Sequence, residues 1–481
     1  MASGRKIVVN GINGATGNYD FPPMTLAAFA QTLKATRATP PAHVTQRGRQ
    51  LRRRSFARGL PFGTAPDDLR QAGWGVVFHR DERSEVRNAL APLIARRRTV
   101  VGDAARVKEL AYHPGEDATS WLRRHGVSWN NVEPTQIPYY LLWVGSPELM
   151  PFEVAHEIDT DYCVGLLHFD TPAEYERYAA SVIDYEEAAG VRASKEVVFF
   201  GTRHLADDAT MLSADWLVGP LADGTPAAGA TPARPSVAKL LGYRHRKIVE
   251  ADATRQALID VLAGRPVRPA LLFTATHGMV FPSGDARQLP AQGALLCQDW
   301  PGFGSVGPAH YLSASDVPDD AQVQGLIAFH FACYGGGTPV RDLYHFQQGV
   351  VPPAIAPQPF FAALPRRLLA HPNGGALACI AHIERAWGSS ITGITSSPQI
   401  RVFQTAIGQI LAGKPVGLAV QDFNDLSATM SDVLSGLLTS IFQGTEVDDE
   451  TLASTWTQRN DAAGFVLIGD PAVSLRVADL T

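Results

Sequence analysis

The sequence predicts an α/β fold in which a mostly parallel sheet is sandwiched by helices. From Gln136 onward, apolar runs of strand length alternate with stretches of helical periodicity. The predicted strands are almost continuously apolar, which is typical of strands that are buried on both faces of a parallel sheet. At 481 residues, 45% of them hydrophobic, the chain is long enough for two or three domain-sized units.

The first block of alternation predicts three strands and a helix. The strands are "YYLLWVG" (139–145), "YCVGLLHF" (162–169) and "KEVVFFG" (195–201), and "PAEYERYAASVIDYEEA" is the helix between the second and the third. The Pro-, Gly- and Ala-rich stretch "GPLADGTPAAGATPARPS" (219–236) then predicts a mobile connection.

The second block predicts the strands that carry chemistry. In chain order its elements are the helix "TRQALIDVLAG", the strand "PALLFTATHG", the strand or loop "ALLCQDW", the strand "QGLIAFHFAC", the helix "FAALPRRLLAH", the strand "GALACIAHI", the helix "IRVFQTAIGQILAG", a helical region to about Phe442 and the strand "GFVLIGDPAVSLRV". Functional groups gather beyond the carboxyl ends of parallel strands. Both "THG" and "ACYGGG" lie at such ends.

Composition and charge limit the classes of function. Residues 1–134 hold 21 Lys and Arg against 11 Asp and Glu, which leaves 21 against 36 for the rest. The basic stretches "RGRQLRRR" (47–54) and "ARRR" (95–98) lack the aromatic interleaving of a nucleic-acid surface. We expect mutual attraction of the two parts, or solvated arginines, and no nucleic-acid partner.

The N-terminal stretch and the cysteines indicate a soluble protein of the cytoplasm. There is no secretory signal and no uninterrupted apolar run of about 18 residues, so no membrane span is expected. The four cysteines are too dispersed for a disulfide framework or a zinc cluster, and no metal is expected. "VVNGINGATG" (8–17) superficially resembles a dinucleotide loop, but the two prolines that follow do not open a helix. We therefore expect an ordinary turn there and no cofactor.

Cys333 is the candidate nucleophile. It ends an apolar strand and is followed by Tyr334 and three glycines, which leave room for a substrate backbone. His330 is three residues away on the same strand and would point to the opposite face. His277 ends a comparable strand and is followed by Gly278, so two neighbouring parallel strands would place imidazole and thiol at one rim. A buried structural cysteine and a structural histidine are the alternative interpretation.

These two strand ends resemble the caspase-like clan of cysteine peptidases, which includes caspases, gingipains, legumain, separase and the bacterial CHAT proteases. "LLFTATHG" (271–278) and "LIAFHFAC" (326–333) match the two halves of the clan's active-site pattern. "PYYLLWVGSPELMPF" (138–152) and "VLIGDPAVSLR" (466–476) are most similar to the gingipain-type and CHAT-type bacterial members. The resemblance implies the caspase-like (caspase-hemoglobinase) fold, with two α/β subdomains plus an N-terminal region.

The resemblance also implies roles for individual residues. Cys333 would be the nucleophile and His277 the general acid and base, while the backbone N–H groups of Gly278 and Cys333 would form the oxyanion hole. Asp215 matches the acidic residue of the primary specificity pocket and would favour a basic residue before the scissile bond; a helix-capping role is the alternative. His204 stands where gingipains place an acidic residue beside the catalytic histidine, so it is a possible supporting residue.

Two further wall residues and the domain boundaries complete the prediction. Glu384 and Trp387 in "HIERAWGSS" are alternative residues of the specificity pocket. We expect a basic region of unknown role at 1–134, a non-catalytic α/β subdomain at 135–265 and a catalytic subdomain at 266–481.

The leading functional hypothesis is a regulated cytoplasmic cysteine endopeptidase that acts on a protein or peptide substrate through a thioester. Cleavage in the loops 219–236 or 335–359 could activate it, and the family suggests bacterial immunity or programmed cell death. One alternative is a catalytically idle scaffold whose N-terminal region binds a regulatory protein partner. Another is a thiol enzyme that transfers acyl groups or cleaves esters.

Overall fold

A ten-stranded sheet forms the centre of the protein, in a computed structural model that describes residues 6–35, 59–226, 232–343, 351–392 and 399–481. The strands, in chain order, are β1 Lys6–Ile7, β2 Gly11–Asn13, β3 Met24–Thr25, β4 Trp74–His79, β5 Val107–Tyr112, β6 Tyr140–Val144, β7 Cys163–Leu167, β8 Ser194–Gly201, β9 Arg244–Val249, β10 Pro269–Ala275, β11 Gly278–Val280, β12 Leu295–Leu296, β13 Tyr311–Leu312, β14 Ile327–Phe331, β15 Gly337–Thr338, β16 Phe360–Phe361, β17 Ala378–His382 and β18 Phe465–Gly469.

Helices occupy much of the chain between these strands. The α-helices, in chain order, are α1 Leu26–Ala35, α2 Leu69–Ala72, α3 Ser84–Val101, α4 Ala118–Arg124, α5 Phe152–Ile158, α6 Pro172–Glu187, α7 Asp208–Ser213, α8 Gly219–Asp223, α9 Val237–Leu240, α10 Arg255–Leu262, α11 Gln288–Ala291, α12 Ala363–Leu369, α13 Arg401–Leu411, α14 Val416–Phe442 and α15 Asp449–Gly464. A π-helical turn, Ala214–Val218, joins α7 to α8. Within the described ranges, no helix combines the length and the apolarity needed to cross a bilayer.

The large sheet consists of two parallel halves that run in opposite directions. Its strand order is β5-β4-β6-β7-β18-β17-β14-β10-β8-β9, and only the pair β17 and β18 is antiparallel. The predicted α/β fold with a mostly parallel sheet is thus confirmed. Because β17, β14, β10 and β8 are adjacent and mutually parallel, their carboxyl ends lie at one edge of the sheet. Loops beyond these ends can therefore converge on one site.

The strand pairing does not follow the predicted division at residues 134 and 265. β4 and β5 belong to the segment expected to form a separate basic region, yet β4 pairs in parallel with β6. β8 and β9, expected in the non-catalytic subdomain, extend the half-sheet that contains β10 and β14. The Pro- and Arg-rich stretches before Gln136 obscured the alternation, although "GWGVVFH" coincides with β4.

The basic stretch 95–98 lies in α3, and its arginines are paired with acidic residues. The buried Arg97 guanidinium contacts Asp470 at 2.8 Å and Glu186 at 2.7 Å. Arg96 also contacts Glu186, at 2.9 Å. These pairs join the basic front of the chain to its acidic remainder, as the alternative to nucleic-acid binding predicted. The other basic stretch, 47–54, lies outside the described residues.

Helices pack against the sheet through a continuous apolar core. α13 and α15 pack on α14, and α3 packs on α6. The rings of Phe329 in β14 and Phe423 in α14 lie 5.9 Å apart, and Phe403 in α13 packs 5.2 Å from Phe423. Aromatic contacts of this kind add to the burial of apolar surface that fixes the strands.

A four-stranded second sheet, in the order β13-β12-β11-β2, borders the site edge. β2 pairs in parallel with β11, with Gly11 opposite Gly278 and Asn13 opposite Val280. This pairing places the stretch 8–17, which was expected to form an ordinary turn, beside Gly278, the residue after His277. Of the two predicted activation loops, 227–231 and 344–350 lie outside the described residues, and their cleavage stays a prediction.

Candidate active site

Cys333 lies two residues beyond the end of β14, and its side chain is fully buried. Its Sγ accepts a hydrogen bond from the Ala386 N–H at 3.2 Å. Burial, followed by the nearby Asp20 charge, raises the pKa of the Cys333 thiol well above its usual range. The next residue, Tyr334, has φ +58°, so a tight turn follows the cysteine at once.

His277 lies beside Cys333 in the backbone because β10 and β14 are neighbours. Their register pairs Ala275 with Phe331, and two further residues bring His277 level with Cys333. A Cβ on Gly278 would lie 1.9 Å from the Cys333 carbonyl oxygen, so only glycine permits this approach. Among the described residues, His277 Nδ1 makes no hydrogen bond. The two predicted residues therefore share one rim without a hydrogen bond between their side chains.

Asp207 orients the imidazole of His277. The Nε2–H of His277 donates to Asp207 Oδ2 at 2.6 Å, and both side chains are buried. Burial acts to raise the pKa of Asp207, but the His277 charge and the hydrogen bonds from His277 and Tyr19 outweigh it and hold that pKa well below its usual range. With Nε2 donating to an ionised carboxylate, the lone pair of a neutral imidazole is on Nδ1, where it can act as a base.

Sequence reasoning missed Asp207, although it lies three residues after His204, the position at which the resemblance implied an acidic residue beside the histidine. His204, the residue proposed for that place, is buried, and its Nδ1 is 4.0 Å from Asp207 Oδ2. Its ring packs edge-on against Trp300 at 5.2 Å. Burial first, and then the charge of His277, lowers the pKa of His204, so it stays neutral beside the pair. The available signal was "HLADDATM", because an Asp ahead of a helix is a typical N-cap, and Asp207 caps α7.

Two backbone N–H groups converge on one oxygen at this rim. The N–H of Gly278 donates to the carbonyl oxygen of Asn10 at 2.8 Å, and the N–H of Cys333 donates to the same oxygen at 3.0 Å. These are the two groups that the resemblance implied for an oxyanion hole. A peptide carbonyl of the chain itself occupies the position between them.

Residues 8–13 fill the cleft between this pair of N–H groups and Ala386, with a bend at Asn10 and strand pairing from Gly11 to Asn13. The Asn10 N–H donates to Ala386 O at 2.9 Å, and β2 continues along β11. A Cβ on Gly11 would lie 2.8 Å from Cys333 Sγ, so this glycine lies directly against the thiol. The segment then turns back, and Tyr19 packs edge-on against His277 with ring centroids 5.6 Å apart.

The three predicted specificity residues occupy different places. The Asp215 carboxylate is half exposed and forms a two-point ion pair with Arg203, at 3.0 and 3.1 Å. Glu384 is buried and holds the chain beyond Cys333 by accepting from the Leu343 N–H at 2.8 Å. Trp387 is buried beside the cleft. A specificity role for each of them stays a prediction, and no hydrogen bond or ion pair among the described residues joins Asp215 to the segment in the cleft.

The loop 386–390 forms the wall on the other side of Asn10 from these two N–H groups, and Asp461 of α15 holds it in place. Asp461 accepts hydrogen bonds from the Trp387 N–H at 2.8 Å and from the Ser390 hydroxyl at 2.9 Å. His382, at the end of β17, contacts the same carboxylate at 3.1 Å. Through these hydrogen bonds, Asp461 holds the loop 386–390 at the carboxyl end of β17.

The glycines after Cys333 serve the fold in a way that the sequence did not indicate. A Cβ on Gly336 would lie 3.2 Å from His382 O, and one on Gly337 would lie 2.8 Å from Phe360 O. The backbone that approaches them is thus the protein's own. The glycine that touches the thiol is Gly11, which is remote in sequence.

Comparisons with known proteins give structural similarity only. No family model matches the chain, and no curated protein matches it. A structure described as a protease is similar at a TM-score of 0.46, with 11% identity over 84% of this chain and 78% of that one. The Arg-specific cysteine proteinase gingipain R is similar at 0.42, with 13% identity over 84% and 79%. The Saccharomyces cerevisiae separase–securin complex is similar at 0.32, with 8% identity over 69% and 15%.

Proposed function

We propose that the protein is a cysteine endopeptidase of the caspase-like clan, with Cys333 as nucleophile and His277 as general acid and base. The observation that carries the proposal is the pair of N–H groups, from Gly278 and Cys333, that meet on one peptide carbonyl beside the thiol. A site of this geometry stabilises the oxyanion of an acyl-transfer intermediate. The sequence resemblance supports the same assignment.

The chemistry follows from the residues at the rim. His277 Nδ1 takes the thiol proton, and the thiolate attacks the carbonyl carbon of a bound peptide. The negative charge that forms on the carbonyl oxygen is stabilised by the two N–H donors, each contributing about 3 kcal/mol. His277 then donates its proton to the leaving amine, and water hydrolyses the thioester. Asp207 keeps the imidazole in the required tautomer throughout.

Labelling of the thiol tests the proposal. Because residues 10 and 11 cover Cys333, the experiment uses Gly11→Leu in the full chain, whose side chain would collide with Sγ and displace the segment. We expect a peptidyl acyloxymethyl ketone to label this variant at one site. Adding Cys333→Ala or His277→Ala should abolish labelling.

Cys379→Ala is the matched control, because Cys379 is also a buried cysteine in a strand of this half-sheet. It should label like its parent. Labelling that persists without Cys333, or a Gly11→Leu variant that folds and does not react, would contradict the proposed protease. The second outcome is the one expected of an idle scaffold.

The cellular role is a second part of the proposal, and it rests on the family resemblance alone. From the family resemblance we infer a cytoplasmic enzyme of bacterial immunity or programmed cell death that acts on a protein substrate and answers to a regulatory protein partner. Co-expression of wild type and Cys333→Ala with proteins encoded beside it tests this inference. A fragment that forms only with the wild type identifies the substrate, whereas an acyl-transferring enzyme would leave every candidate uncut.

A further inference from the structure

The segment in the cleft has the contacts of a substrate on both sides of one peptide bond. The carbonyl of the Asn10–Gly11 bond lies in the pair of N–H donors, and Gly11 lies against the thiol. Backbone hydrogen bonds hold the chain on both sides of this peptide bond. Before it, the Asn10 N–H donates to Ala386 O, and after it, β2 pairs with β11. The bond nearest to the sulfur is therefore one of the chain's own.

The side chain of Asn10 fills a fully buried pocket. Its Nδ2 donates to the Ser213 hydroxyl at 3.3 Å, and Ser213 in turn donates to Thr210 O. A Cβ on Gly388 would lie 2.7 Å from Asn10 Oδ1, so glycine at 388 makes room for the amide. The two sides of the pocket come from α7 and from the wall loop 386–390.

The chemistry of this pocket fits a short neutral amide. The Ser213 hydroxyl binds Asn10 Nδ2, whereas Asn10 Oδ1 makes no hydrogen bond within the described residues, so a carboxylate there would be buried without a cation. Within the described ranges, Asp215, the acidic residue that the resemblance implied for the pocket, is paired with Arg203, so it is not free to bind a long basic side chain. The pocket thus differs from the one that the resemblance led us to expect.

Resting on the proposed protease activity, we propose that residues 8–13 bind in cis as a substrate, that the Asn10–Gly11 bond is cut, and that the pocket selects asparagine before the scissile bond. Cys333 Sγ bonds to the Asn10 carbonyl carbon as the C–N bond to Gly11 breaks, and His277 gives the leaving amine its proton. Water then adds to the thioester, which yields the Asn10 carboxylate and restores the thiol. The product chain begins at Gly11.

Intact mass and N-terminal sequencing of the purified full-length chain test the proposal. We expect wild type to convert to a chain that begins Gly-Ile-Asn-Gly, at a rate independent of protein concentration, whereas Cys333→Ala stays uncut. Asn10→Asp and Asn10→Gln should slow conversion at least tenfold at pH 7.5, through the buried charge and the added methylene respectively.

The chain supplies its own matched control, since a second Asn-Gly pair, Asn13–Gly14, follows three residues later. Asn13→Gln should convert at the wild-type rate. Spontaneous reaction of asparagine before glycine would alter both pairs and would continue in Cys333→Ala, so that result overturns the proposal.

Failure of this inference is distinguishable from failure of the protease proposal. If Gly11→Leu labels at Cys333 while wild type keeps the Asn10–Gly11 bond, the protease stands and self-cleavage is overturned. If the unlabelled Gly11→Leu chain cuts a peptide library after residues other than asparagine, the pocket assignment is overturned. If neither labelling nor cleavage occurs, the protease proposal itself falls.

Discussion

Replacing Asp207 by asparagine removes the negative charge beside His277 with little change of shape. Asparagine caps a helix as well as aspartate does, so the cap of α7 should persist. What is lost is a charge-assisted hydrogen bond of 2.6 Å between buried groups. Such bonds contribute about 1.5–3 kcal/mol, which corresponds to a rate loss of about 10- to 150-fold.

The assay is the second-order rate of Cys333 labelling by the peptidyl ketone in the Gly11→Leu chain, with and without Asp207→Asn. Asp285→Asn is the control, since that carboxylate forms an exposed ion pair with Arg287. Tyr19→Phe removes one donor to the Asp207 carboxylate but keeps its charge, so its effect should be smaller.

A labelling rate that Asp207→Asn leaves unchanged would refute the assignment of Asp207 as the residue that positions the imidazole. So would an equal loss in Asp285→Asn, because that result would indicate a general effect of charge. Circular dichroism and the unfolding midpoint of each variant separate a catalytic loss from misfolding.

Three further predictions concern the core and the cleft. Burial lowers the pKa of His330 from 6.5 to about 4, so below pH 6.5 the unfolded chain binds a proton at this residue that the folded chain excludes. His330 by itself should therefore lower the free energy of unfolding by about 2 kcal/mol between pH 7 and pH 5, and in urea titrations the loss over this range should be smaller by about that amount in His330→Gln. Arg97→Met leaves the buried Asp470 carboxylate without its ion-pair partner and should lower the free energy of unfolding by about 3–5 kcal/mol. Arg98→Met, which breaks an exposed ion pair on the same helix, should lower it by less than about 1 kcal/mol. Gly388→Ala crowds Asn10 Oδ1 and should slow release of the first ten residues at least tenfold by intact mass; an unchanged rate would show that the pocket is not where we place it.

The elements that the sequence predicted well are those with a strong local signal. The strand runs around Leu271–Phe273 and Ile327–Phe329 are continuously apolar, as befits strands with helices on both faces. The strands β4 and β5 were missed as parts of the sheet because flanking prolines and arginines broke the alternation. α15 was missed because it is buried nearly all round and has no amphipathic stripe.

Within the candidate site, the strand-end rule predicted that His277 and Cys333 lie at one edge, and the register of β10 with β14 places them side by side. The sequence did not distinguish Asp207 from His204, three residues earlier, because the conformation of the loop decides which of them faces His277. No local pattern could have placed Asn10, whose partner N–H groups are more than 250 residues away in the chain.

By itself, the sequence determined the most apolar strands from residue 139 onward, that the sheet is mostly parallel, and which two strand ends carry a thiol and an imidazole, because side-chain apolarity and period are local properties. Only the tertiary structure decided that the sheet reverses once at β18, that Asp207 faces His277, and that residues 8–13 fill the cleft. Those features depend on backbone hydrogen bonds and close approaches between segments that are distant in the chain. Residues of almost any type can make such contacts, so the sequence does not indicate where they form.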